Sequence, residues 1–169
     1  MAISMHGASV PLFTQMLNAL SGVLDKGAAF AAAKKVEPAV LLGSRLAPDM
    51  LTLTRQVQIA SDTSKACVAR LAGVEAPKYE DTEASFDDLK ARIAKTVAFL
   101  DTVTTAQIDG SEEREITLKF PSRELKFTGQ RYLVNWAIPN FTFHCTTAFA
   151  ILRHNGVEIG KQDFLGAVL

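Results

Sequence analysis

The sequence predicts an all-α fold, a four-helix bundle that carries one small β-hairpin between its third and fourth helices. Four long segments repeat apolar residues at steps of three and four, which is the spacing of one helix face. One short segment alternates polar and apolar residues instead, as a strand does. The chain has 169 residues, of which 48% are hydrophobic. This size suits a single domain with a sizeable core, and we expect it to span residues 1–169.

The first two long helices are predicted over residues 4–33 and about 49–72. Pro11 lies in the first turns of the first helix and marks either its true start or a kink. Between the two helices, Pro38 is placed to open a short helical turn. Gly73 follows the second helix and is typical of a helix end.

The second half of the chain changes its pattern twice. A third helix is predicted over about 83–105, and the alternating segment at 114–127 predicts the hairpin. The fourth long helix is predicted over about 129–155, with Pro139 in its interior. Because proline lacks an N–H group, we expect the helix to bend there. Residues 157–169 are interpreted as a tail.

Charge and hydropathy exclude several classes of function. Lys plus Arg and Asp plus Glu both number 18, so the formal net charge is zero, which argues against a dedicated binder of nucleic acid or of anionic membranes. No stretch approaches the roughly 18 uninterrupted apolar residues that a membrane span needs. The first residues lack the pattern of a secretory leader. We therefore expect a cytoplasmic protein with reduced thiols and with neither nucleic acid nor membrane as a partner.

The residues with chemical potential are few. Only three histidines occur, and His144 lies one turn after Asn140 on the inner face of the fourth helix. This polar pair predicts either a hydrogen-bond network in the core or a ligand site. Cys67 and Cys145 lie within apolar helical patterns, so small core residues are expected and reactive thiols are the minority interpretation. His154 lies at the end of the fourth helix, where its protonated form interacts favourably with the helix dipole.

Five stretches of the chain carry a family resemblance: residues 4–11, 46–50, 55–60, 71–74 and 150–157. With these stretches the sequence resembles the DinB-like (YfiT-like) superfamily of metalloenzymes. Within that superfamily it is most similar to an uncharacterised bacterial family of about this length. The resemblance covers nearly the whole chain and implies the four-helix bundle with its hairpin.

The resemblance also implies a site. DinB-like proteins typically hold a divalent metal with three histidines, one from the second helix and two from the fourth. In this sequence the matching positions are Gln58, Asn140 and His144, so two imidazoles are replaced by neutral amides. Because amide oxygens are weak ligands, no cofactor is certain, and Zn, Ni or Fe would be bound weakly. Asp62 adds a carboxylate if the helix faces allow it. Alternatively, the amides and His144 bond each other or a small polar ligand.

Two functions follow from this resemblance. The first is a non-enzymatic or small-ligand-binding homodimer whose metal triad is degenerate, with a pocket lined by Gln58, Asn140 and His144. The alternative is a divalent-metal-dependent or thiol-dependent transferase or isomerase that uses the same pocket. The sequence assigns no catalytic residue. The partner expected is a second copy of the chain, because Phe141, Phe143 and Phe149 flank the inner face of the fourth helix.

Overall fold

The computed structural model describes residues 3–167 and confirms the all-α fold with a two-stranded hairpin. The helices and strands are, in chain order, α1 (Val10–Lys34), α2 (Pro38–Leu42), α3 (Leu53–Ala72), α4 (Phe86–Asp101), α5 (Thr105–Ile108), β1 (Glu115–Phe120), β2 (Arg123–Thr128), α6 (Gly129–Tyr132), a π-helical turn (Leu133–Ala137), α7 (Ile138–His154) and α8 (Lys161–Leu165).

Three of the predicted helices begin later than the periodicity indicated. Pro11 lies in the first turn of α1, so it marks the true start of that helix and not a kink. The predicted start of α3 at 49 was wrong because Thr52 is its N-cap, and its side chain accepts a hydrogen bond from the N–H of Arg55. Ser85 and Asp88 form a capping box that begins α4.

The hairpin pairs β1 and β2 in antiparallel register, with Leu118 opposite Leu125. Ile116 and Leu118 are buried, whereas Phe120 on the same face of the strand is 39% exposed. Two strands alone are marginally stable, so the hairpin depends on its packing against the helix that follows. Phe127 provides this contact, with its ring centroid 6.0 Å from that of Trp136.

The predicted fourth helix consists of α6, the π-helical turn and α7 in direct succession. The irregularity near Pro139 is this π-helical turn, which ends two residues before the proline. The segment after Gly156 is not only a tail, because it contains the five-residue helix α8. An ion pair of 2.7 Å between Lys26 and Asp163 ties α8 to α1.

Helices α3 and α6–α7 run antiparallel through the centre of the bundle. Near its start α3 meets α7, where Gln56 contacts His144, and near its end Arg70 donates a hydrogen bond of 2.8 Å to the hydroxyl of Tyr132. Leu53, Val57 and related apolar residues between the helices are fully buried. Among the described residues, no helix is both long enough and apolar enough to cross a membrane.

Candidate functional site

His144 is the buried imidazole of the bundle, with 9% of its surface exposed. Its Nδ1 atom lies 2.6 Å from Oε1 of Gln56, which reaches it from α3. The amide nitrogen of Gln56 is held in turn, since it donates a hydrogen bond of 3.1 Å to the carbonyl of Leu51. The pair therefore extends into the segment just before α3.

These contacts fix the tautomer of His144. A backbone carbonyl only accepts, so the contact with Leu51 assigns the nitrogen of Gln56 to that side and its oxygen to the imidazole. Nδ1 therefore carries the proton and donates to Gln56. Nε2 keeps its lone pair; it has no hydrogen-bond partner among residues 3–167 and is not fully buried.

The surroundings of His144 favour the neutral imidazole. Burial lowers the pKa of His144 because the charged form loses its hydration. The ring of Phe143 meets the imidazole edge-on, with centroids 5.3 Å apart, and Phe143 itself is 56% exposed. Near neutral pH this site offers one uncharged nitrogen base beside an exposed aromatic ring.

Gln58 is buried in a different set of contacts. Its Oε1 accepts a hydrogen bond of 2.6 Å from Arg55, and its Nε2 donates one of 2.7 Å to Glu83. The side chain is held between α3 and the segment that precedes α4. Both ends of the amide are thus already occupied by protein groups.

Glu83 belongs to a group of charges around Arg92, which we name the Arg92 cluster: Arg92, Asp62, Asp81 and Glu83. The guanidinium of Arg92 is fully buried and lies 2.9 Å from both Glu83 and Asp62 and 3.1 Å from Asp81. Burial opposes the charge on Glu83, but hydrogen bonds from Arg92 and Gln58 outweigh it and lower the pKa of Glu83. Arg55 also pairs with Asp81.

Sequence reasoning missed both Gln56 and the Arg92 cluster. Arg92 lies off the apolar stripe of its helix, a position that is typical of a solvated cation. The acidic residues that surround it come from a loop and from α3, and no spacing in the sequence links them. Gln56 is recognised only once the rotation of α3 against α7 is known.

The three residues that the resemblance places at one site make different contacts in the structure. Residues two apart on a helix point to nearly opposite sides, so Gln56 faces His144 whereas Gln58 faces the Arg92 cluster. Asn140 lies one turn before His144 and lines a cleft beside β1, together with Thr63 of α3. Direct hydrogen bonds join none of Gln58, Asn140 and His144 to one another.

The comparisons with known proteins agree with this architecture. Residues 5–165 match the family described as a domain of unknown function (DUF1993). The chain belongs to this family. A crystal structure of a DinB family member protein from Shewanella denitrificans is similar, with a TM-score of 0.87 and 45% identity, over 96% of this chain and 92% of that one. No curated protein matches. This member of the family is therefore a DinB-like protein, and the resemblance inferred from the sequence is confirmed.

The donor atoms do not suit a metal held jointly by Gln58, Asn140 and His144. The oxygen of Gln58 accepts from the Arg55 cation and its nitrogen donates to Glu83, so a metal ion at this oxygen would lie next to a positive charge. Asp62 is likewise engaged, since one of its oxygens is shared by Lys65 and Arg92 at 2.8 and 2.9 Å. Within residues 3–167, no three His, Cys, Asp or Glu side chains are grouped as metal ligands.

The two thiols are poorly placed to react. Cys67 and Cys145 are free and buried, at 0% and 2% exposure, as their apolar setting indicated. Burial raises the pKa of both thiols, so the reactive thiolate is disfavoured.

His154 is exposed in the last turn of α7, and the backbone N–H of His6 donates a hydrogen bond to the carboxylate of Asp109.

Proposed function

We propose that this DinB-like protein is a non-enzymatic, small-ligand-binding homodimer that works without a resident metal. The observation that carries the proposal is that Gln58 is hydrogen-bonded to Arg55 and Glu83, whereas His144 is hydrogen-bonded to Gln56. The position that supplies a histidine ligand in the superfamily is used here in a structural network. What remains is a neutral imidazole and a polar cleft, which suit binding more than hydrolysis or transfer.

Elemental analysis of the protein tests this proposal. After purification without added metal or chelating resin, we expect the molar ratio of tightly bound transition metal to chain to be far below one. Titration with zinc or nickel chloride is expected to give weak binding that disappears in His144→Ala and persists in His154→Ala. A stoichiometric metal in the purified protein that resists dialysis would overturn the proposal.

The homodimer rests on an apolar patch around the His144–Gln56 pair. Phe143 and Leu51 are 56% and 45% exposed, and they lie beside the imidazole and beside its glutamine partner respectively. Large apolar side chains that cluster at the surface are typical of a protein interface. We place the second copy over this patch.

Light scattering after size exclusion measures the mass directly. The unmodified protein is expected at twice the chain mass, and Phe143→Ser is expected to shift it to one chain. Val134→Ser is the matched control, since Val134 is also exposed, at 52%, but lies elsewhere on the helix. A monomeric unmodified protein, or equal dissociation by both variants, would contradict the dimer.

One observation favours the alternative, a metal-dependent or thiol-dependent enzyme. Nε2 of His144 carries a lone pair that no described residue uses, and a neutral imidazole of this kind can bind a metal or accept a proton. The discriminating assay is turnover of thiol substrates, such as a glutathione conjugate, with and without added divalent metal. Turnover that His144→Ala abolishes would establish the alternative; its absence supports the binding function.

A further inference from the structure

A cleft of about 280 Å³ lies where α3, β1 and the start of the fourth helix meet. Helix α3 contributes Thr63 and Arg70, the strand contributes Lys119, and the long fourth helix contributes Trp136 and Asn140. Within residues 3–167 the sheet consists of β1 and β2 alone, so the free edge of β1 forms one wall. The volume suits a single small molecule.

Two cations line this cleft without a carboxylate partner. Neither Arg70 nor Lys119 lies within ion-pair distance of an acidic group in the part of the chain that the structure describes. Arg70 gives one guanidinium N–H to Tyr132 and keeps its remaining donors. Asp62 also faces the cleft, but Lys65 and Arg92 already neutralise it. The cleft therefore favours an anion.

Two aromatic rings also line the cleft. The rings of Trp136 and Phe120 lie with centroids 5.9 Å apart at an angle of 56°. Phe120 is 39% exposed although it continues the apolar face of its strand. Trp136 belongs to the π-helical turn, a feature often found at functional sites. A flat apolar group would cover both rings and remove them from water.

Asn140 supplies a neutral polar group at the end of the cleft. Its side chain makes no hydrogen bond to another residue of the described chain. An amide that is half buried and unpaired can donate to an anionic oxygen and accept from a hydroxyl. The two cations, the two aromatic rings and the unpaired amide of Asn140 thus line the same small cleft.

We propose that this cleft binds a small planar carboxylate, with Arg70 and Lys119 on the carboxylate and Trp136 and Phe120 against the ring. The inference rests on the proposed ligand-binding function and names its ligand class and its place. Arg70 suits a carboxylate because its planar fork pairs with two oxygens at once. The two aromatic rings distinguish this ligand from a compact inorganic anion.

Calorimetric titration with sodium benzoate tests the proposal. Trp136 is the single tryptophan of the chain, so its fluorescence reports binding at this cleft. The expected result is saturable binding with a change in that fluorescence. Benzamide, which lacks the charge, and inorganic phosphate, which lacks the ring, are expected to bind at least about tenfold more weakly.

Matched variants locate the site. Arg70→Gln and Lys119→Gln should each weaken benzoate binding by about tenfold, since each removes one charge-assisted contact. Lys126→Gln removes a cation from the same hairpin outside the cleft and should leave benzoate binding unchanged. All three side chains are exposed, so the fold is expected to persist, which thermal melts verify.

Three results would overturn the proposal: no benzoate binding, equal binding of benzamide or phosphate, or a loss in Lys126→Gln equal to that in Arg70→Gln. The titrations are run on chelator-treated protein, so they are independent of the metal question. A stoichiometric metal in the untreated protein would defeat the proposed function and leave the benzoate result standing. Failure of benzoate alone would overturn this proposal and leave the proposed binding function standing.

Discussion

Replacing Arg92 with methionine removes the centre of the Arg92 cluster while keeping a long side chain. The side chain of Arg92 is 0% exposed and that of Glu83 is 7% exposed, so the substitution leaves a buried carboxylate that has lost its cation and keeps the amide of Gln58 as a side-chain donor. Breaking a buried pair in this way costs about 3–5 kcal/mol. Asp62 and Asp81 are 45% and 41% exposed, so their pairs are screened and add at most about 1 kcal/mol each.

We therefore expect Arg92→Met to lower the free energy of unfolding by about 3–5 kcal/mol, mostly through Glu83. For a chain of this size the loss corresponds to a fall in Tm of about 10 °C. Urea unfolding followed by circular dichroism measures it. The matched control is Lys95→Met, which removes an exposed cation from the same helix and should cost less than about 1 kcal/mol.

A second substitution isolates the cause of the loss. If the unpaired charge of Glu83 is responsible, adding Glu83→Gln to Arg92→Met should restore part of the stability, because the remaining group is then neutral. Equal stability of Arg92→Met and Lys95→Met would refute the reasoning. So would a double variant that is no more stable than Arg92→Met alone.

Three further predictions follow from the site. Because the pKa of His144 is lowered on folding, its contribution to the free energy of unfolding is fully present above the unfolded pKa and is lost as pH falls through the folded pKa. His144→Gln should flatten that part of a stability–pH profile. Gln56→Met should cost about 1–3 kcal/mol in urea unfolding, since Nδ1–H of His144 loses its acceptor, whereas the exposed Gln130→Met should cost little. Cys67 and Cys145 should react with a thiol reagent only in denaturant, and rapid labelling of the native protein would contradict their burial.

The stability profile has a second acidic component. The pKa of Glu83 is lowered by its partners, so its contribution is present above the unfolded pKa and is lost as pH falls through the folded pKa. Because an ordinary carboxyl titrates below an ordinary imidazole, this loss comes at lower pH than that of His144. Glu83→Gln and His144→Gln should therefore affect separate parts of the profile.

Periodicity was sufficient for the helices because each buries one face along its whole length. It placed the starts of α1, α3 and α4 too early, since N-caps and prolines define where a helix begins without changing the apolar pattern. Helix α8 escaped prediction because it is short and buries little of its surface. The hairpin was recognised because its period of two contrasts with its neighbours.

The site was only partly predictable. His144 and Asn140 share a helix face, and this follows from their spacing alone. Which residue of α3 meets His144 depends on the rotation of α3, and a shift of two residues turns the side chain to the other side. Gln56 and Gln58 are both glutamines, so composition cannot separate them. The Arg92 cluster depends on a loop whose course the sequence does not define.

Position 56 of α3, and not position 58, faces His144. Gln56→His and Gln58→His test it most directly, because two imidazoles facing each other across α3 and α7 chelate zinc or nickel. A metal concentration ten times the dissociation constant adds about 1.4 kcal/mol of stability. We expect nickel chloride to raise the Tm of Gln56→His by several degrees and to leave that of Gln58→His unchanged. A metal-dependent rise in Gln58→His alone would contradict it.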